Sequence, residues 1–156
     1  MIILGIDPGT TRIGYGLINS EKNKLTCLEY GIIENQGKDK FLYFSNTVAE
    51  LNKIIKKYNP QAAGIERLFF TKNQKTAMAV SEMRGILLLT LYQANLPIVE
   101  FTPLQVKSFI SGYGSADKKQ VQKMVKLLLN LKEDIRPDDA ADALAIAICC
   151  SGQLRG

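Results

Sequence analysis

The sequence predicts an α/β domain, a mixed β-sheet with helices packed on its faces, and three observations lead there. Three short β-rich runs come first, strand and helix then alternate, and the C-terminal third has a helical pattern. With 156 residues, 46% of them hydrophobic, the chain has enough apolar surface for one sizeable core and is expected to form a single domain over 1–156.

Residues 2–6, 13–18 and 25–34 read as strands divided by PGTTR and NSEKNK, turn-forming and charged segments that make an antiparallel meander. From Phe41 onward Leu42, Phe44, Val48, Leu51, Ile54, Ile55 and Tyr58 recur at three- and four-residue steps, predicting an amphipathic helix that ends before Asn59-Pro60. A parallel crossover then leads into Ala62–Glu66, a short apolar strand ending in a carboxylate. A long helix is expected over 72–92, a strand over 97–101, and helices from there to the end. In the 72–92 helix Met78, Val80, Met83, Ile86, Leu87, Leu88, Leu89 and Leu91 cover more than one face, so one sheet cannot bury them all. Either other helices cover the remainder or a second copy of the chain does.

Twenty Lys and Arg against 15 Asp and Glu leave a net charge of +5, which suits a polyanionic partner and is equally explained by solubility. Cys27, Cys149 and Cys150 are odd in number, two of them adjacent, a poor disulfide framework that fits a reducing compartment and a cytoplasmic location. The short apolar run before Asp7 has no basic leader and reads as a buried strand, and no stretch reaches the roughly 18 apolar residues of a membrane span. With no histidine, imidazole chemistry is excluded, and three cysteines without paired spacing disfavour zinc.

The acids are more informative. Asp7 ends the first strand just before Pro8-Gly9, where an Asx-turn would account for it as well as a reactive site would. Glu66 ends the AAGIE strand, and its structural explanation is a pairing with Arg67 or a nearby lysine. Asp139 and Asp142 lie three apart on one face of an alanine-rich helix entered through Arg136-Pro137, near the positive end of its dipole. Capping explains Asp138 well and Asp139 in part, but an aspartate as deep as Asp142 gains little from a cap. Gathered together, four carboxylates repel unless a cation sits among them, and hard divalent ions such as magnesium, two of them about 4 Å apart, would support phosphodiester hydrolysis.

The strings LGIDPGTTRIGYG followed by IIE, IERLFF with KNQKTA, MRG, PLQVK, GYGSADKKQV and DDAADALAIA resemble the RuvC family of Holliday junction resolvases, in order and spacing along almost the whole chain. The resemblance implies a ribonuclease H-like fold, a five-stranded mixed sheet with helices on both faces. It implies a magnesium-dependent endonuclease, manganese substituting, that binds two ions per active site on Asp7, Glu66, Asp139 and Asp142 and nicks four-way DNA junctions in symmetric pairs to leave 5′-phosphates. Some relatives place a histidine at the third of these positions, so the site here is all carboxylate. Asp138 precedes the matching pair, but only Asp139 keeps the D-A-A-D register with Asp142.

A homodimer gripping the junction is also implied, with the 72–92 helix as a fitting interface, and cooperation with a branch-migration helicase. Lys107 and Lys118 match the family's basic residues, Lys118 within the catalytic set, and Lys119 is adjacent; each is expected to approach a phosphate, although Lys118, Lys119, Lys123 and Lys126 also suit a solvated helix face. Phe69 matches an aromatic that stacks on an unpaired base, Phe70 is as well suited to the core, and Lys72 and Asn73 are candidates for backbone phosphate contacts.

Three rivals stand beside this reading. GIDPGTT also resembles the phosphate-binding hairpin of actin-like ATPases, which need two such domains and have no use for paired acids on a last helix. A ribonuclease H-like nuclease acting on RNA–DNA hybrids or precursor rRNA would carry the same acids. A non-catalytic junction-binding protein requires one acid to be misplaced.

Overall fold

The computed structural model describes residues 1–22, 24–34, 37–68 and 74–154. The meander appears as β1 (Ile2–Asp7), β2 (Arg12–Glu21) and β3 (Lys24–Glu34), followed by α1 (Lys40–Tyr58), β4 (Ala62–Glu66), α2 (Gln74–Gln93) and β5 (Ile98–Phe101). Three helices close the chain: α3 (Pro103–Ser111), α4 (Lys118–Leu128) and α5 (Asp138–Gln153). The strands form one five-stranded sheet in the order β3-β2-β1-β4-β5, antiparallel through the meander and parallel across β1, β4 and β5. This is the mixed sheet that the sequence predicts.

Two cores lie on opposite faces, and strand alternation sorts residues between them. Leu4, Ile6, Ile13, Leu17, Ala63 and Ile65 pack with Leu51 and Ile54 of α1 and Met83, Leu87 and Leu91 of α2. Ile3, Ile18 and Ala62 face the other way, toward α3, α4 and α5. Helix α5 is the most deeply buried element, with Ala140, Ala141 and every residue from Ala143 to Ser151 buried. Its small side chains let it lie almost directly on the strand backbones. A Cβ on Gly5 would stand 2.0 Å from the Ala143 carbonyl oxygen, and one on Gly14 would stand 1.9 Å from that of Asp139. These two glycines are required by close approach.

Two expectations shift in detail. The buried stripe of α1 runs through Tyr43, Thr47, Leu51 and Ile54, leaving Phe41 and Leu42 exposed at 74% and 57%. The apolar pattern misplaces the first two turns because Thr47, a polar residue, sits on the packed face and Tyr43 beside it. On α2 one face is buried through Met83, Leu87, Thr90 and Leu91, while Met78, Leu89 and Tyr92 stay exposed at 70%, 56% and 75%. The other helices of the chain therefore do not cover the apolar surplus of α2. Among the described residues no helix is long and apolar enough to cross a membrane.

Candidate active site

The strand half of the site follows from alternation and register. Ile3 and Gly5 face α5, so Asp7, two residues further, projects from the same face at the end of β1. On β4 the same reasoning runs from Ala62 through Gly64 to Glu66. The parallel pairing Ile6↔Ile65 then sets Asp7 and Glu66 side by side at the ends of neighbouring strands. Their carboxyl groups are hydrogen-bonded to each other. Burial, then the charges of Glu66 and Asp142, the hydrogen bond that protonated Asp7 donates to Glu66 and the charge of Asp139 push the Asp7 pKa up to about 8. Glu66 is also raised, chiefly by burial and further by Asp142, against the pull of the Asp7 hydrogen bond and of Lys118 and Lys107. The cations that act on the Glu66 carboxyl group are thus lysines, Lys118 and Lys107; Arg67 is exposed and its backbone N–H donates to the Phe101 carbonyl.

The helix half comes from the first turns of α5. Asp142 is 3.0 Å from the Lys118 ammonium, and Asp139 Oδ2 is 3.3 Å from Arg12. Asp138 does not cap the helix, whose N-cap is Pro137 without a side-chain cap bond. It accepts a hydrogen bond from Gln122 and pairs with Lys118 at 3.4 Å, and these two partners hold its pKa low. Burial raises the pKa of Asp142 in spite of Lys118, with Asp138 and Asp139 adding to the rise. Asp139, not Asp138, is the residue whose charge reaches Asp7.

A cationic wall faces these acids. Glu66, Asp142, Lys107 of α3 and Lys118 at the start of α4 line one cleft of about 200 Å³ together with Val106 and Val121. Lys118 is placed by the capping box in which Asp117 and Gln120 exchange hydrogen bonds at the head of α4. Partial burial works against its charge, but Asp142 and Asp138 raise its pKa overall. Lys119, although adjacent, lines a neighbouring groove and not this cleft. Phe69, Phe70, Lys72 and Asn73 lie outside the described residues.

Two arginines complete the site without having been singled out in the sequence. Arg12 balances Asp139 from the start of β2. Arg84 of α2, only 15% exposed, donates from Nε to the Glu66 carbonyl at 2.9 Å and pairs through Nη2 with Glu100, so it pins the end of β4. Its signal was a guanidinium inside an otherwise apolar helical stretch, which must find an anion or carbonyl when buried.

The donors suit a hard divalent cation. All are carboxylate oxygens, Asp7 and Glu66 need a positive charge to ionise together, and Asp139 Oδ2 is buried with no hydrogen-bond partner, Arg12 approaching only as an ion pair. Among the described residues no three of the acids form a ready-made cage, which is consistent with Asp142 leaning to Lys118 and Asp139 to Arg12.

The raised acids fix the sign of a pH effect. Between an unfolded pKa near 4 and a folded value of about 8, Asp7 holds a proton in the native state only, so stability falls as pH rises through that window. Glu66 and Asp142 act in the same direction, whereas Glu29, Asp134 and Asp138, all lowered, add stability only as pH rises through the acid range. With chelator present, the melting temperature should drop by at least about 5 °C from pH 5 to pH 8, and magnesium should recover most of it. A flat profile in chelator would show that the four acids do not repel one another.

Comparisons with known proteins identify the family. The family model "Crossover junction endodeoxyribonuclease RuvC" matches residues 3–150. The Thermosipho melanesiensis protein of that name is 50% identical over 157 residues, covering 99% of each chain, and the Halothermothrix orenii one is 49% identical over 99% of this chain and 94% of the other. Among solved structures, T. thermophilus RuvC in complex with Holliday junction substrate superposes with a TM-score of 0.93 at 30% identity, over 99% of this chain and 95% of that one. With acids converging from β1, β4 and α5 and a match along its full length, the chain belongs to the RuvC family of crossover junction endodeoxyribonucleases.

Proposed function

We propose that the chain resolves four-way DNA junctions by paired, symmetric nicks that leave 5′-phosphates, in recombination and repair. The observation that carries this reading is the convergence of Asp7, Glu66, Asp139 and Asp142 opposite Lys107 and Lys118, in a chain matched end to end by junction nucleases. Divalent-metal dependence comes with the family; magnesium, two ions per site with manganese able to substitute, is the ion proposed, held by Asp7, Glu66, Asp139 and Asp142. When bound, such an ion supplies a Lewis acid that makes water nucleophilic near neutral pH and stabilises the departing oxygen.

The chain's own residues then have separate tasks. Asp7 and Glu66 must both be ionised to hold a cation, which their burial side by side opposes until the cation is bound. Lys118 and Lys107 meet the scissile phosphate, Lys118 exchanging its Asp142 partner for a phosphate oxygen and stabilising charge there as the bond breaks. Lys119 contacts phosphate outside the cleft, and Phe69, Lys72 and Asn73 are proposed to meet the junction from the segment after Glu66.

The exposed Met78, Leu89 and Tyr92 of α2 support a homodimer, whose twofold axis would match that of the junction and set two cuts. A single domain, a cytoplasmic location and a branch-migration helicase partner belong to the same proposal. The deciding experiment offers a synthetic four-way junction, a linear duplex and an RNA–DNA hybrid in magnesium. Symmetric nicks confined to the junction are expected; cleavage of the hybrid alone would overturn the substrate assignment and leave the fold standing.

A further inference from the structure

We propose that Arg84 and Glu100 are positioning residues for the nuclease reaction: from the face of the sheet opposite the acids, their ion pair fixes the peptide that follows Glu66 and so sets where the Glu66 carboxylate meets a metal. The inference deepens the metal-dependent junction-nuclease reading above and rests on it.

The need for such a clamp follows from how β4 ends. The Arg67 N–H donates to the Phe101 carbonyl, on the β5 side, at 2.7 Å. In a trans peptide the carbonyl points the opposite way, so the Glu66 carbonyl turns toward β1. Pairing with β1 has already ended there, at Ile6↔Ile65, and after Asp7 the chain continues as Pro8, which has no N–H to give. The sheet therefore offers no partner to the last carbonyl of β4, at the residue whose side chain belongs to the site.

Arg84 supplies that partner. Its Nε donates to the Glu66 carbonyl at 2.9 Å, and its side chain is only 15% exposed. Alternation explains the direction of approach: Ala63 and Ile65 pack in the core beside α2, whereas Ala62, Gly64 and Glu66 look toward α5. The guanidinium thus grips the strand end on one face while the Glu66 carboxyl group emerges on the other. Ile98 also packs in the core beside α2, so Glu100, two residues further along β5, lies on the face that Arg84 reaches, and the two side chains pair. With Nε on one acceptor and Nη2 on another, the plane of the guanidinium is fixed, which the single ammonium of a lysine cannot reproduce. Glu100 holds Arg84, and Arg84 holds the Glu66 peptide. Neither lines the cleft formed by Glu66, Asp142, Lys107 and Lys118, so both act through the backbone.

The test compares the full wild-type chain with Arg84→Met, Arg84→Lys, Glu100→Ala and the Arg84→Met, Glu100→Ala double variant, well below every melting temperature. For Arg84→Met, kcat on a four-way junction in saturating magnesium should fall about 10²-fold with KM for the junction unchanged, the cost of misplacing a reacting group by roughly 1 Å. Without DNA, the magnesium concentration that gives half of the metal-induced rise in melting temperature should increase at least about tenfold. Arg84→Lys should recover less than half of the lost kcat. Glu100→Ala should lose about tenfold, and the double variant should be no slower than Arg84→Met, since both changes break one chain of contacts. Wild-type kcat and magnesium response in Arg84→Met, whatever its melting temperature, would reduce Arg84 to packing and overturn the proposal, as would losses that multiply in the double variant. If Arg84→Met does not fold, Glu100→Ala decides alone, at a side chain 37% exposed. A wild-type chain that neither cleaves the junction nor gains stability from magnesium would bring down the metal-nuclease reading and this one with it; a wild type that does both, beside variants that match it, overturns the positioning role alone.

Discussion

Asp7→Asn is expected to reduce junction cleavage by at least about 10³-fold, because in the proposed two-ion site the loss of one ligand charge removes several kcal/mol of stabilisation from the transition state. The same change should raise the melting temperature in chelator near pH 8. It eliminates the carboxylate whose ionisation is opposed by burial and by Glu66, Asp142 and Asp139, and so flattens the dependence of stability on pH. Loss of activity together with gain of stability separates a site residue from a packing residue, which would lose both. Junction binding in chelator should be retained or tightened, since a negative charge facing phosphate has been neutralised. If the asparagine variant cleaves at even a tenth of the wild-type rate, Asp7 does not hold the reacting ion.

Gly14→Ala should damage both fold and chemistry through a single methyl group. Gly14 pairs with Asp7 in the sheet register, and the added Cβ would meet the Asp139 carbonyl oxygen at 1.9 Å and its carbon at 2.4 Å. The first turn of α5 must then retreat by roughly 1 Å, a strain of about 3 kcal/mol that should lower the melting temperature by roughly 6–12 °C. A retreat of that size carries Asp139 and Asp142 away from Asp7 and Glu66, and misplacement on this scale lowers rates by about 10²-fold. Gly5→Ala provides the comparison. Its Cβ would strike Ala143, a turn further along the helix, at 2.0 Å. Comparable destabilisation with a smaller rate loss, measured well below both melting temperatures, is expected there. Equal rate losses in the two variants would mean that α5 moves as a rigid unit and that Gly14 has no special hold on Asp139.

Much of this was legible in the sequence because it depends on short-range periodicity. Strands and helices appeared where their apolar spacing put them, and strand alternation carried Asp7 and Glu66 to the sheet ends. The three-residue step of Asp139 and Asp142 likewise placed both on one helical face before any tertiary contact was known. The first turns of α1 were less legible, since Thr47 on the packed face and Phe41 in solvent run against hydrophobicity and are settled by what α2 and the sheet present.

Residue order by itself determined the element sequence, the positions of the four candidate acids and the family of the chain, because those depend on local pattern and motif spacing. Only the tertiary structure decided which charges meet. Arg12 reaches Asp139 across 127 positions of chain, Lys118 chooses Asp142 and Asp138, and Arg84 finds the Glu66 carbonyl from the far side of the sheet. No spacing rule encodes such pairs. They exist because glycines in β1 and β2 let α5 lie against the strands, and that contact, distant in sequence, sets the distances over which the charges act.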